Sequence, residues 1–269
     1  MKTIKIFQID AFTDKLFSGN PAGVCILENW INDELMQSIA TENNLAETAF
    51  VVAKGEKFEI RWFTPAVEVD LCGHATLATA FVLYNYLKYK AKEIVFYSPR
   101  SGELKVYKKN DTLFLDFPTD ILKQVNNIHE IKKCIGIEPL EVFKGKTDYI
   151  AIINNETEIK NLKPNLIETN KLTARGLIVT AKGNSVDFVS RFFAPQIGIN
   201  EDPVTGSAHT SLIPLWSKKL GKDEMQALQL SKRGGKLICI NKGERCLIGG
   251  QARLYLTGEI VVDQNERFR

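Results

Sequence analysis

The sequence predicts an α/β protein of mixed sheets, built as two pseudo-symmetric halves, each a curved, barrel-like sheet around one buried central helix. Three observations lead there. A passage occurs twice: VAKGEKFEIRWFTP over 52–65 and TAKGNSVDFVSRFFAP over 180–195. Each copy runs on into a knot of small residues, Cys72-Gly73-His74-Ala75 in the first and Thr205-Gly206-Ser207-Ala208 in the second. Each knot opens a helical segment, and the first of these, 74–87, is apolar on nearly every side, the pattern of an enclosed helix rather than a surface one.

The chain of 269 residues and the repeat spacing of about 130 residues favour two domains of ordinary size. The predicted halves are 1–118 and 119–269, with the last strand able to cross back to the first half. Apolar residues make up 44% and charged residues 25%, enough for real cores and a normal surface. The net charge of +3 is spread out, and the densest basic stretch, Ser231 to Lys236, reads as a solvated turn rather than a nucleic-acid patch. No membrane partner is expected, since no run approaches 18 apolar residues. Five cysteines without CxxC pairing, behind an N-terminus lacking an apolar signal core, point to free thiols in a reducing cytoplasm. The three histidines have no metal-ligand spacing, so no metal site is expected.

In order, residues 3–10 alternate as a half-buried strand does. Asn20-Pro21-Ala22-Gly23 reads as a turn before the apolar run 24–27. A helix starts at Asn32, which can cap, with Asp33 and Glu34 in the first turn, and ends near Asn43 and Asn44. Leu45-Ala46-Glu47 forms a short connection. Strands follow at 48–53 and 58–63, then the enclosed helix, then strands near 93–98, 103–108 and 112–117, stopped by Pro118. The second half repeats the order: a helix near 128–135, strands near 140–143 and 148–153, polar loops, strands near 176–181 and 186–193, and a helix from about 207 to 220. Pro214 inside that helix predicts a kink or early break. Strands near 226–231, 236–241, 246–255 and 258–263 finish the chain.

The two knots are the first candidates for chemistry. A helix N-terminus carries unpaired N–H groups and partial positive charge, which favour a carboxylate, and Gly73 and Gly206 let a ligand approach the backbone. Two such ends facing across a cleft would clamp a small acid; the plainer reading is that both glycines only satisfy turn geometry. Glu47 lies in apolar company, where desolvation would raise its pKa and suit it to general acid–base work; the alternative is an ordinary loop acid. Asp202, before Pro203, could orient a substrate or simply make an Asx turn, and Asp70 is its rough counterpart in the first half. His74 adjoins Gly73 at the helix mouth, where a ligand would sit. Cys72 could act as a thiolate there, but its counterpart is Thr205, so no symmetric thiol pair exists.

Taken together, Asp10-Ala11-Phe12-Thr13, Phe17 to Ala22, Ala46-Glu47-Thr48-Ala49-Phe50, Arg61 to Pro65, Asp70 to Ala78 and Asn200 to His209 resemble the PhzF family of phenazine-biosynthesis-like isomerases. The blocks fall in order across most of the chain. The resemblance implies a diaminopimelate-epimerase-like fold, usually a homodimer, with the site between the halves. It puts the acid–base glutamate at Glu47 and pocket residues at Gly73, His74, Asp202, Gly206 and Ser207, with no metal or organic cofactor.

The resulting expectation is a cofactor-independent isomerase that moves a proton between carbons of a small carboxylic acid. Glu47, His74 and Asp202 are the expected catalytic residues; Gly73, Gly206 and Ser207 are expected to bind substrate. The alternatives are an amino-acid racemase or epimerase using Cys72, and a non-catalytic protein that binds small acids.

Overall fold

A computed structural model describes residues 2–262. The chain divides into two compact units, one of residues 1–116 with 249–269 and the other of residues 117–248. Among the described residues no helix is long and apolar enough to cross a membrane.

The first unit contains β1 (Lys2–Ala11), β2 (Asn20–Leu27), α1 (Asp33–Asn43), β3 (Glu47–Lys54), β4 (Lys57–Phe63), β5 (Glu68–Val69), α2 (Gly73–Asn85), β6 (Glu93–Ser98), β7 (Gly102–Lys109) and all but the last two residues of β8 (Thr112–Pro118). Its sheet runs β1–β2 antiparallel, β2–β3 parallel, β3–β4 antiparallel, β4–β6 parallel, then β6–β7 and β7–β8 antiparallel. Alternation sets the faces. Ile4, Ile6, Cys25, Phe50, Val52 and Phe63 pack with Met36 and Ile39 of α1. α1 forms where expected: the Asn32 side chain accepts from Leu35 N, and Asn44 ends the helix at φ 48°.

α2 packs against β1, β2 and β3 and is buried along nearly its whole length, as its all-round apolar pattern predicts. Its two buried threonines are satisfied internally, Thr76 Oγ1 donating to Cys72 O at 2.6 Å and Thr79 Oγ1 to Ala75 O at 2.8 Å.

The second unit contains β9 (Lys123–Gln124), α3 (Ile128–Ile135), β10 (Glu141–Lys144), β11 (Asp148–Ile152), α4 (Glu156–Asn161), α5 (Leu166–Thr169), β12 (Gly176–Lys182) and β13 (Phe188–Ala194). A 3-10 turn (Pro195–Ile197), β14 (Ile199–Asp202), α6 (Gly206–Leu220), β15 (Glu224–Gln229) and β16 (Gly235–Asn241) follow. Its strands pair in the order of the first unit: β10–β11 antiparallel, β11–β12 parallel, β12–β13 antiparallel, β13–β15 parallel, β15–β16 antiparallel. The duplicated passage is the β3–β4 hairpin in one unit and the β12–β13 hairpin in the other.

β17 (Arg245–Gly250) and β18 (Ala252–Val262) complete the chain, and β18 pairs antiparallel with β1. The break between these last strands falls at Gln251, not between 255 and 258 as the pattern suggested; residue 263 lies outside the described residues.

Four other expectations are corrected. Asn20 to Gly23 is strand, not turn, because pairing with β1 (Asn20 opposite Ala11) overrides the local Asn-Pro preference. Glu47 opens β3, opposite Ala22 of β2, rather than sitting in a connection. The stretch read as polar loops holds α4 and α5, capped by Asn155 on Glu158 N and Asn165 on Glu168 N. α6 runs unbroken through Pro214. Proline offers no N–H to the carbonyl four residues back, and here that carbonyl, Thr210 O, accepts from Asp120 N at 3.1 Å instead.

Candidate active site

The six expected site residues fall into two groups of three. Glu47, Gly73 and His74 lie in the first unit; Asp202, Gly206 and Ser207 lie in the second.

In the first group, β3 starts at Glu47 and α2 starts at Gly73. Parallel pairing of β2 and β3 sets Glu47 and Asn20 in neighbouring strands. Glu47 Oε2 lies 3.1 Å from His74 Nε2, with the carboxylate side chain 12% exposed and the imidazole 6%. The two atoms are close but not aligned as a hydrogen bond. On the other side of the ring, His74 Nδ1 lies 3.2 Å from Asn20 Nδ2 and 3.4 Å from Cys72 Sγ.

Burial works against a charge on His74, but Cys72 and Glu47 outweigh it and lift its pKa well above the ordinary value. The Cys72 thiol is pushed up to about 11, first by burial and then by the Glu47 carboxylate. At neutral pH it is therefore a thiol. Desolvation overrides the helix N-terminus that could have made it a thiolate.

Glu47, Cys72 and His74 bring ligand-type atoms within 4.8 Å of one another. The imidazole stands between the other two, and the lone pairs of its nitrogens diverge. The observed contacts thus form a chain through the ring rather than a chelate around one cation.

In the second group, α6 starts at Gly206 after Thr205. Asp202 is buried at the end of β14 and accepts from Thr205 Oγ1 at 2.5 Å. Ser207 Oγ accepts from Arg175 Nη2 at 3.0 Å. Arg175 is held by buried Asp148, its Nε and Nη2 donating to the two carboxylate oxygens at 3.0 and 2.5 Å. With its lone pair facing a cation, the Ser207 hydroxyl is left to donate its proton, which suits an anionic acceptor. His209 Nδ1 contacts Thr205 O at 2.8 Å, and burial lowers its pKa to about 4, so it is a neutral structural histidine.

Neither α2 nor α6 is capped by a side chain or has an acidic residue in its first turn. α1, by contrast, has both an Asn cap and two acids. Among the described residues, neither helix start therefore has a side-chain cap or a first-turn acid to oppose its positive end.

Some of the expected equivalences fail. Asp70 does not match Asp202: its side chain is 75% exposed and meets Arg100. The pattern also missed Asn20, Arg175 and Gln229, which touch site residues. A matched pair of arginines went unread as well. Arg61 binds Glu68 through Nε and Nη2 at 2.7 and 2.9 Å, and Arg191 binds Glu201 the same way at 2.6 and 3.0 Å. The signal was there, since both arginines hold the same place in the duplicated passage.

The model of the phenazine biosynthesis-like protein family, PhzC-PhzF, matches residues 9–259. This chain belongs to that family. An isomerase of Pseudomonas aeruginosa, described as uncharacterized, is 48% identical over 257 residues, covering 96% of this chain and 98% of its own. A PhzF family protein of Enterococcus faecalis superposes with a TM-score of 0.95 at 44% identity, covering 97% of this chain and all of the other. A hydroxyproline epimerase of Agrobacterium vitis shares the fold alone: TM-score 0.61 at 10% identity, over 98% of this chain and 94% of the other.

Proposed function

We propose that the protein is an isomerase that moves a proton between carbon atoms of a small carboxylic acid, with Glu47 as the general acid–base. One observation carries the reading: a carboxylate 12% exposed, 3.1 Å from a buried imidazole, beside the uncapped mouth of α2. Such a group can take a proton from a bound carbon acid and return it to another carbon. His74 neutralises the carboxylate between transfers and stabilises charge developing on the substrate. Gly73 leaves the α2 backbone open to the ligand. For the second mouth the proposed role is binding: Gly206 and Ser207 hold the carboxylate, and Asp202 meets a polar substituent. The isomerase name of the Pseudomonas aeruginosa relative supports the reaction class.

Against the racemase alternative stand the protonated Cys72 thiol and the threonine at position 205. The homodimer expected from the family resemblance is checked by analytical ultracentrifugation of the purified chain.

The function is tested by incubating the protein in D₂O with a panel of small amino and hydroxy acids and following deuterium incorporation by mass spectrometry. Glu47→Gln is expected to lose about 10²–10⁴-fold of the exchange rate while still binding the acid by calorimetry. Full exchange by Glu47→Gln would remove Glu47 from the mechanism.

A further inference from the structure

Gln229 ends β15, is fully buried, and makes three hydrogen bonds whose directions are fixed. Thr205 N donates to Gln229 Oε1 at 2.9 Å. A backbone nitrogen can only donate, so the amide oxygen must face it and the NH₂ must face the other way. That NH₂ donates to Asp202 O at 2.8 Å and to Thr205 Oγ1 at 3.0 Å. Thr205 Oγ1 is thus an acceptor from Gln229, and its own proton points to Asp202 Oδ2, 2.5 Å away. A hydroxyl that donates to a carboxyl oxygen favours the ionised form of that carboxyl.

We propose that Gln229 is a positioning residue which, through the Thr205 hydroxyl, keeps Asp202 ionised. The consequence for chemistry is specific. Asp202 has no proton to give, so toward a substrate it acts as an acceptor and does not protonate a reacting carbon. Thr205, its proton committed to Asp202, cannot serve as the base that a thiol at this place would supply. The functional consequence rests on the substrate role proposed for Asp202; the protonation pattern itself does not.

Several charged groups near Asp202 in the chain have partners of their own. Arg191 and Glu201 pair with each other, and Arg175 is engaged by Asp148. His209, on α6, is kept neutral by burial. Lys232 and Arg233 belong to the turn that Ser231 ties to Pro203 O at 2.8 Å.

The test is ¹³C NMR of protein labelled at the aspartate side-chain carboxyls, with Asp202 assigned by its loss in Asp202→Asn. In the unmodified protein Asp202 is expected to titrate below the ordinary aspartate value of about 3.9. Gln229→Glu turns the donor into an acceptor and draws the threonine proton away, so the midpoint should rise by at least about one pH unit. Gln229→Met removes the amide without adding charge, and should raise it by less, which keeps the test open if the glutamate variant does not fold. Thr205→Val should behave like Gln229→Glu, and Thr205→Ser should restore the normal midpoint. An unmodified midpoint at or above about 3.9, or one unmoved in both Gln229 variants, would overturn the proposal. No turnover is involved, so this outcome is independent of the Glu47→Gln result.

Discussion

Arg61 and Arg191 occupy equivalent places in the duplicated hairpins, yet replacing each by methionine should have unequal effects. Arg191 is 11% exposed and donates to both oxygens of Glu201, to Ile159 O at 3.2 Å and to Leu162 O at 2.7 Å. Those carbonyls lie at and just past the C-terminal end of α4. Arg191→Met strands one mostly buried carboxylate and the carbonyl of buried Leu162, while Ile159 O keeps Leu162 N at 3.3 Å. Breaking a buried pair costs about 3–5 kcal/mol, and the partial exposure of Glu201 argues for the lower part of that range.

Arg61 also binds a glutamate, but Glu68 keeps Arg100 Nη2 at 2.8 Å after Arg61 is lost. The other partner, Asp33, is 68% exposed, and such a pair contributes about 0–1 kcal/mol. Arg61→Met should therefore cost only about 1–2 kcal/mol. Because the chain has two compact units, the assay should be local: native-state amide exchange followed by mass spectrometry. Peptides over 188–202 should exchange roughly 10²-fold or more faster in Arg191→Met, against roughly 5–30-fold for peptides over 57–69 in Arg61→Met. Equal acceleration, or a larger effect at Arg61, would refute the reasoning that the second partner of Glu68 is what protects the first unit.

Three further outcomes follow from the same geometry. His209 has a folded pKa of about 4 against 6.5 in the free side chain, so below pH 6.5 the unfolded chain binds the extra proton; stability should fall from pH 6.5 to 4 by up to about 3 kcal/mol, and urea titrations of His209→Leu should lack that slope. In Gly176→Ala the new Cβ would lie 2.6 Å from the Phe192 ring and 2.8 Å from Phe193 O, and because the latter is backbone the strand must shift; a loss of about 1–3 kcal/mol and a lower melting temperature are expected by calorimetry. Alkylation of Cys72, followed by peptide mapping, should have its pH midpoint at about 11, and Glu47→Gln should lower that midpoint because the Glu47 charge helps to raise it.

Much of the fold was legible because it is written locally. The duplicated hairpins, the enclosed helix of 74–87 and the cap at Asn32 each depend on residues within a few positions of one another. α4 and α5 were legible too, through Asn155 with Glu158 and Asn165 with Glu168, the asparagine form of a capping box, but that signal went unread. Asn20 to Gly23 misled because a strong turn preference was overridden by pairing with β1.

The sequence by itself determined the repeat, the two glycine-led helix mouths and the residue types gathered at them. Only the tertiary structure decided what those residues are. Glu47 is half-buried because strand pairing and α2, 26 residues further on, enclose it; local apolar company could not distinguish that from an exposed acid. Cys72 is a thiol because burial outweighs the helix field. Asp202 meets Gln229 from 27 positions away, and Ser207 meets Arg175 from 32. Protonation and hydrogen-bond direction depend on desolvation and on partners brought in by the fold, and no local pattern encodes either.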